Sequence, residues 1–175
     1  MKFFDDIVVG ERHKMGSYAF SAEEIKRFAR AFDPQPFHTD EEAARASHFG
    51  RLCASGWHTM AVWMKLNVRE MNRLDAELRA AGEACALQGP SPGFDELKWL
   101  KPVYAGDTVT FDLEVLATKA SRSRPEWGLV STYNVGRNQH GEEVVSFIAH
   151  VFIERRDKTT PAVPETEPDV IVGEL

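Results

Sequence analysis

Asp33-Pro34-Gln35-Pro36-Phe37-His38 interrupts a chain that reads as helical on either side of it. Proline fixes its own φ and pushes the residue before it out of the α region. No helix can therefore run from Asp33 to His38, and the spacing predicts an extended, rigid loop. That loop carries an acid and an imidazole five positions apart. Held on a rigid loop, such a pair can bind and activate a water as general acid and base. The alternative is structural: Asp33 ends one helix, and His38 packs against or caps the next.

Upstream, residues 1–12 read as an irregular entry segment and His13 to Phe20 as a strand, with Tyr18 and Phe20 alternating against Ser17 and Ala19. Ser21-Ala22-Glu23-Glu24 has the spacing of a capping box. Ile25, Phe28, Ala29 and Phe32 follow at i, i+3, i+4 and i+7, one buried face of a short helix that ends at Asp33 before Pro34. Downstream, Thr39-Asp40-Glu41-Glu42 repeats the capping-box pattern and starts an Ala-rich helix through about Ser47. A turn at His48-Phe49-Gly50 leads to Arg51-Leu52-Cys53-Ala54-Ser55-Gly56.

Gly56 opens the longest helical pattern, over residues 57–81. Trp57 to Met64 is apolar on most sides, whereas the later part keeps only the stripe Met71, Leu74 and Leu78. The helix is expected to leave the core partway along, and Gly82 to stop it. Glu83 to Pro92 is a loop. Beyond it the period changes from 3.6 to 2. Strands are expected over Gly93–Leu100, Thr108–Val115, Trp127–Asn138 and Val144–Ile153, with a turn at Pro102–Asp107, a polar connection at Ser121–Pro125 and a hairpin at Gln139-His140-Gly141. The last strand has apolar residues on both faces and is expected to be covered on both. A helical block followed by antiparallel strands is an α+β layout with the long helix packed on the sheet. Residues 1–156 form one domain in this reading, and 157–175, with three prolines and five acids, a polar tail that is mobile or wraps a partner.

At 175 residues the chain is long enough for one substantial core. No apolar run approaches a membrane span, and early charges at Asp5, Asp6, Glu11 and Arg12 break any signal-like segment. A net charge of −6 argues against nucleic acid as a partner. Cys53 and Cys85 are the only cysteines, which suits a reducing cytoplasm, and the six histidines show no zinc spacing.

Three ordered stretches resemble the MaoC-like, or R-specific, enoyl-CoA hydratase family. Phe32-Asp33-Pro34-Gln35-Pro36-Phe37-His38, with Ala44 beyond it, resembles the signature D-x-N-P-x-H, with Gln35 departing from the usual Asn. Phe49-Gly50-Arg51-Leu52-Cys53-Ala54-Ser55-Gly56 resembles the start of the family's central helix, with Ser55 where His is usual. Gly93 to Val109 resembles its F-x-x-P-V-x-x-G-D-x-L/V strand and turn. A serine two turns into the central helix often steadies the aspartate in this family; here that position is Met64.

The resemblance implies a hotdog fold, a curved antiparallel sheet wrapped around one long helix. It implies hydration or dehydration of an acyl-CoA or acyl-carrier-protein thioester, without a cofactor or metal, in the cytoplasm, by a homodimer or dimer of dimers. Asp33 and His38 would hold the water, and Gly56 would offer its amide to the thioester oxygen; a tight turn is the alternative for Gly56. Gln35, Ser55, Trp57 and His58 are the expected substrate-binding residues, although Trp57 and His58 also suit the core. Lys98 and Lys101 suit coenzyme A phosphates or plain solvation. Two other functions share this fold: a thioesterase, and a non-catalytic acyl-thioester-binding subunit.

Overall fold

Four antiparallel pairings build the frame. The structure, a computed structural model, describes residues 1–157, so the expected tail lies almost wholly outside the described residues. Strand β1 (Arg12–Ala19) precedes three helices, α1 (Ala22–Phe32), α2 (Pro36–Thr39) and α3 (Glu41–Ala46). The long helix α4 (Gly56–Ala80) follows, and then β2 (Gly93–Trp99), β3 (Thr108–Ala120), β4 (Trp127–Arg137) and β5 (Glu143–Glu154). The strands form one sheet in the order β1-β3-β4-β5-β2, so β1 and β2 are its edges. A five-stranded antiparallel sheet carrying one long helix is the hotdog arrangement. No helix among the described residues is long and apolar enough to cross a membrane.

The first half of α4 is buried because its apolar residues meet the inner face of the sheet. Met60, Trp63 and Leu66 join Val109, Phe111, Val145 and Phe147 in one core cluster. Trp63 Nε1 also donates to Asn134 Oδ1 at 3.1 Å, and Asn134 passes its own amide hydrogens to Thr132. This buried polar link fixes the helix on β4, since breaking it would strand donors and acceptors away from water. After Leu66 no residue of α4 is fully buried, as its thinning apolar stripe predicts. Met71, Leu74 and Leu78 instead line a cavity of about 660 Å³ between α4 and the sheet. The entry segment is not loose: Phe3, Phe4 and Ile7 pack on a second cluster of Val115, Val130 and Ile153. The Met1 amino group pairs with Asp75 of α4.

Several expectations shift on contact with the structure. His38 lies on α2, a single helical turn, and not on an extended loop. Pro36 is its first residue, where a missing N–H and a fixed φ favour helix rather than oppose it. The second cap also moves by one: Asp40, not Thr39, accepts from Ala43 N at 2.8 Å. The first half of β5, Val144 to Phe147, is buried on both faces as expected. Exposed apolar surface gathers elsewhere, on Trp57, Met64 and Val68 of α4 and on Phe94, Trp99 and Leu100 at edge strand β2.

Candidate active site

Each partner of the acid–imidazole pair is placed by a different local device. Asp33 is the C-cap of α1, its N–H bonded to Ala29 O at 2.8 Å, and Pro34 forbids another turn. His38 sits on α2 and is only 6% exposed. Its Nδ1 is 2.7 Å from the Cys53 carbonyl, an acceptor, so Nδ1 carries a proton and Nε2 is the ring nitrogen turned toward Asp33. Nε2 lies 3.5 Å from Asp33 Oδ2.

The Cys53 carbonyl is held by the third matched stretch. Residues 52–54 pair with 103–105 through Ala54 N to Val103 O at 2.7 Å and Ala105 N to Leu52 O at 3.0 Å. The Asp107 carboxylate closes that turn by accepting from Tyr104 N at 2.8 Å. The Pro102–Asp107 turn therefore braces the strand that orients His38.

Asp33 is held in its charged form. Burial pushes its carboxyl up, but hydrogen bonding from Ser55 and Gln35 and the charge of His38 together outweigh it, and the pKa falls below the ordinary 3.8. Gln35 Nε2 donates to Asp33 Oδ1 at 2.9 Å, so the longer amide still serves as a positioning group. Ser55 takes over the support that Met64 cannot give. Its Oγ also accepts from Trp57 N at 3.2 Å as the N-cap of α4. Ser55 is thus a partner of the acid, a role for which the expected substrate-binding assignment gave no sign. Gly56 is the first residue of α4, and among the described residues its N–H has no protein acceptor. Helix-start amides point outward and favour negative charge. A Cβ at Gly56 would stand 2.4 Å from Trp99 Nε1, so close packing of β2 also demands glycine here.

The remaining expected residues separate. Trp57 is 54% exposed, lines the cavity and meets Trp99 edge-on with centroids 5.3 Å apart. His58 does not line it. The imidazole stacks on Phe28 at 4.6 Å and meets Phe20 edge-on at 5.1 Å, and its buried Nδ1 has no partner. It therefore lies in the core, the alternative already given for it, because the third position of the helix faces α1 rather than the cavity. Lys98 and Lys101 are engaged with Glu96 and Glu142. Burial pushes the Cys53 thiol up to about 11, which favours the unreactive thiol over the thiolate near neutral pH. Among the described residues no cluster of three or more His, Cys, Asp or Glu side chains is placed to hold a metal. The acceptor for His38, a backbone carbonyl, and the Trp99 ring over Gly56 carry no signal in the sequence.

Comparisons with known proteins bear on the family and the fold. The family model described as MaoC like domain matches residues 8–135. An uncharacterised Bacillus subtilis protein, YdeM, is 34% identical over 134 residues, 74% of this chain and 86% of its own. A mesaconyl-CoA hydratase of Cereibacter sphaeroides is 37% identical over 78 residues, 45% of this chain but only 22% of the hydratase. The crystal structure of a MaoC-like dehydratase from Rhodospirillum rubrum superposes with a TM-score of 0.71 at 38% identity, covering 90% of this chain and 99% of that one. The hotdog frame and the match through the Asp33–His38 turn converge on one assignment: the chain belongs to the MaoC-like domain family of hydratases and dehydratases.

Proposed function

We propose that this protein adds water across the double bond of a 2-enoyl thioester and, in reverse, dehydrates the 3-hydroxyacyl thioester. The observation that carries this reading is the pair of acceptors, Asp33 Oδ2 and His38 Nε2, set 3.5 Å apart. A water at about 2.6–3.2 Å from each can give one hydrogen to Asp33 and the other to His38, leaving an oxygen lone pair free to attack. As that oxygen bonds to C3, the C2–C3 π electrons move toward the thioester carbonyl. One member of the pair takes the water proton and returns it to C2, so both atoms add on one face. The charge that builds on the thioester oxygen meets the Gly56 N–H at the start of α4. Water and protons balance the reaction, so no cofactor takes part. The similarity to a mesaconyl-CoA hydratase supports the same kind of reaction on a coenzyme A thioester.

The working unit in this proposal is a homodimer. Edge strand β2 offers unpaired backbone groups, and exposed Trp57, Met64, Phe94 and Trp99 lie together beside it. Pairing with a second copy would satisfy that edge and cover this patch. The test is enoyl absorbance followed in both directions with enoyl-CoA and 3-hydroxyacyl-CoA substrates. Loss of absorbance in the forward direction and its recovery in reverse are expected. Absence of both across chain lengths overturns the reading.

A further inference from the structure

We infer that Gln139, in the turn between β4 and β5, and the buried Asp107 it clasps are positioning residues for His38. The inference rests on the hydratase reading for its effect on turnover and deepens it. Asp107 is only 5% exposed, and a carboxylate taken out of water must be fully hydrogen-bonded. It accepts from Tyr104 N through Oδ2 at 2.8 Å and from Gln139 Nε2 through Oδ1 at 2.9 Å. Gln139 lies 32 positions further along the chain, and its Oε1 accepts from Thr108 N at 3.0 Å. One amide side chain thus locks both the carboxylate and the backbone that follows it. Arg51 Nη2 stands 4.0 Å from Asp107 Oδ1, beyond hydrogen-bond reach.

The clasp reaches His38 through a single bridge. Cys53 and Tyr104 face each other between the bonds Ala54 N to Val103 O and Ala105 N to Leu52 O. In such a non-hydrogen-bonded pair each residue turns its own N–H and C=O away from the other. The Tyr104 N–H therefore points to the Asp107 carboxylate, and the Tyr104 carbonyl accepts from Asp107 N at 3.0 Å. On the opposite side the Cys53 carbonyl points to His38 Nδ1. Two further contacts make the two stretches move together. The Tyr104 hydroxyl donates to Phe49 O at 3.2 Å, and the Arg51 guanidinium covers the Tyr104 ring at 4.1 Å. Loss of the Gln139 clasp leaves the Asp107 carboxylate short of a donor, so it must shift or admit water. Movement there passes straight to the carbonyl that orients the imidazole. A displacement of about 1 Å at the reacting groups costs up to about 100-fold in rate.

The experiment pairs steady-state hydration of enoyl-CoA substrates with proton NMR of the His38 Nδ1–H, assigned by its loss in His38→Gln. Bonded to the Cys53 carbonyl, that proton should exchange slowly with water in the wild type. Gln139→Leu, on an exposed turn, should lower kcat about tenfold with KM unchanged, and broaden the Nδ1–H signal by faster exchange. Asp107→Asn sets two amide donors face to face, and Gln139→Glu does so with two carboxylates; each should act in the same direction. Combined, these two substitutions exchange donor and acceptor and rebuild the clasp, so kcat and the signal should both recover. A signal that responds and recovers in a protein that hydrates no enoyl-CoA supports the positioning role while sinking the hydratase reading. A wild-type proton that exchanges freely, a fall in kcat with the signal unmoved, or a loss confined to melting temperature overturns the inference. So does a double variant, folded by circular dichroism, that recovers neither kcat nor the signal.

Discussion

Asp33 and His38 are held side by side because neither is free to turn away. Gln35 and Ser55 hold the carboxylate, and the Cys53 carbonyl holds the imidazole. Asp33→Asn keeps the shape and removes the charge; His38→Ala removes the partner. Each should lower kcat at least about 100-fold in steady-state hydration assays, with circular dichroism unchanged. A folded variant with near-normal turnover contradicts the pairing. These two residues were legible in the sequence because two prolines fix their separation. Their supports were legible only in part, since a backbone carbonyl has no residue type to betray it. His58 makes a second point at this scale. Burial drops its pKa to about 4, with Glu24 opposing and Arg27 adding to the effect. The unfolded imidazole near 6.5 binds a proton that the folded one refuses. Stability should therefore be full above pH 6.5 and fall as the pH drops toward 4, by up to roughly 3 kcal/mol. Urea unfolding at pH 7 and pH 5 should show this loss in the wild type and a smaller one in His58→Phe. Equal losses in both would place the acid sensitivity elsewhere.

Among the elements, the junction of α4 with β2 is the most exacting. In the proposed reaction Gly56 presents its amide, and in the fold it makes room for Trp99. Gly56→Ala keeps the amide but drives a methyl into the Trp99 ring, so it should destabilise by about 1–3 kcal/mol. Trp99→Ala in the same chain should restore most of that loss, giving a clear coupling in thermal or urea melts. Additive losses would mean that the ring simply swings aside. The amphipathic periods placed α1, α3, α4 and four of the five strands close to their observed limits, with β3 running on to Ala120 beyond its expected end at Val115, because burial on one face leaves a repeat of 3.6 or 2. The α2 turn is too short to show a period, and Pro36, a breaker within a helix, is a starter at this first helical position. The role of the Pro102–Asp107 turn was equally hidden, since its pairing with residues 52–54 is long-range.

For the whole molecule, the exposed apolar patch and the open edge at β2 set the expectation of a homodimer. Light scattering at micromolar concentration should give about twice the chain mass, and Trp99→Glu together with Phe94→Glu should shift it toward the monomer. A monomeric wild type contradicts the proposed assembly. The sequence shows an apolar last strand, but β5 is interior to the sheet, and the exposed apolar surface lies on β2 and α4. Which face is left over after folding depends on strand order, which no local pattern encodes. The central claim concerns chemistry, and product analysis addresses it most directly. The protein is incubated with an enoyl-CoA in heavy-oxygen water, and the products are read by mass spectrometry. The account predicts an intact thioester carrying one solvent oxygen at C3 as a hydroxyl. Free coenzyme A with the solvent oxygen in a released carboxylate would make the protein a thioesterase and contradict it.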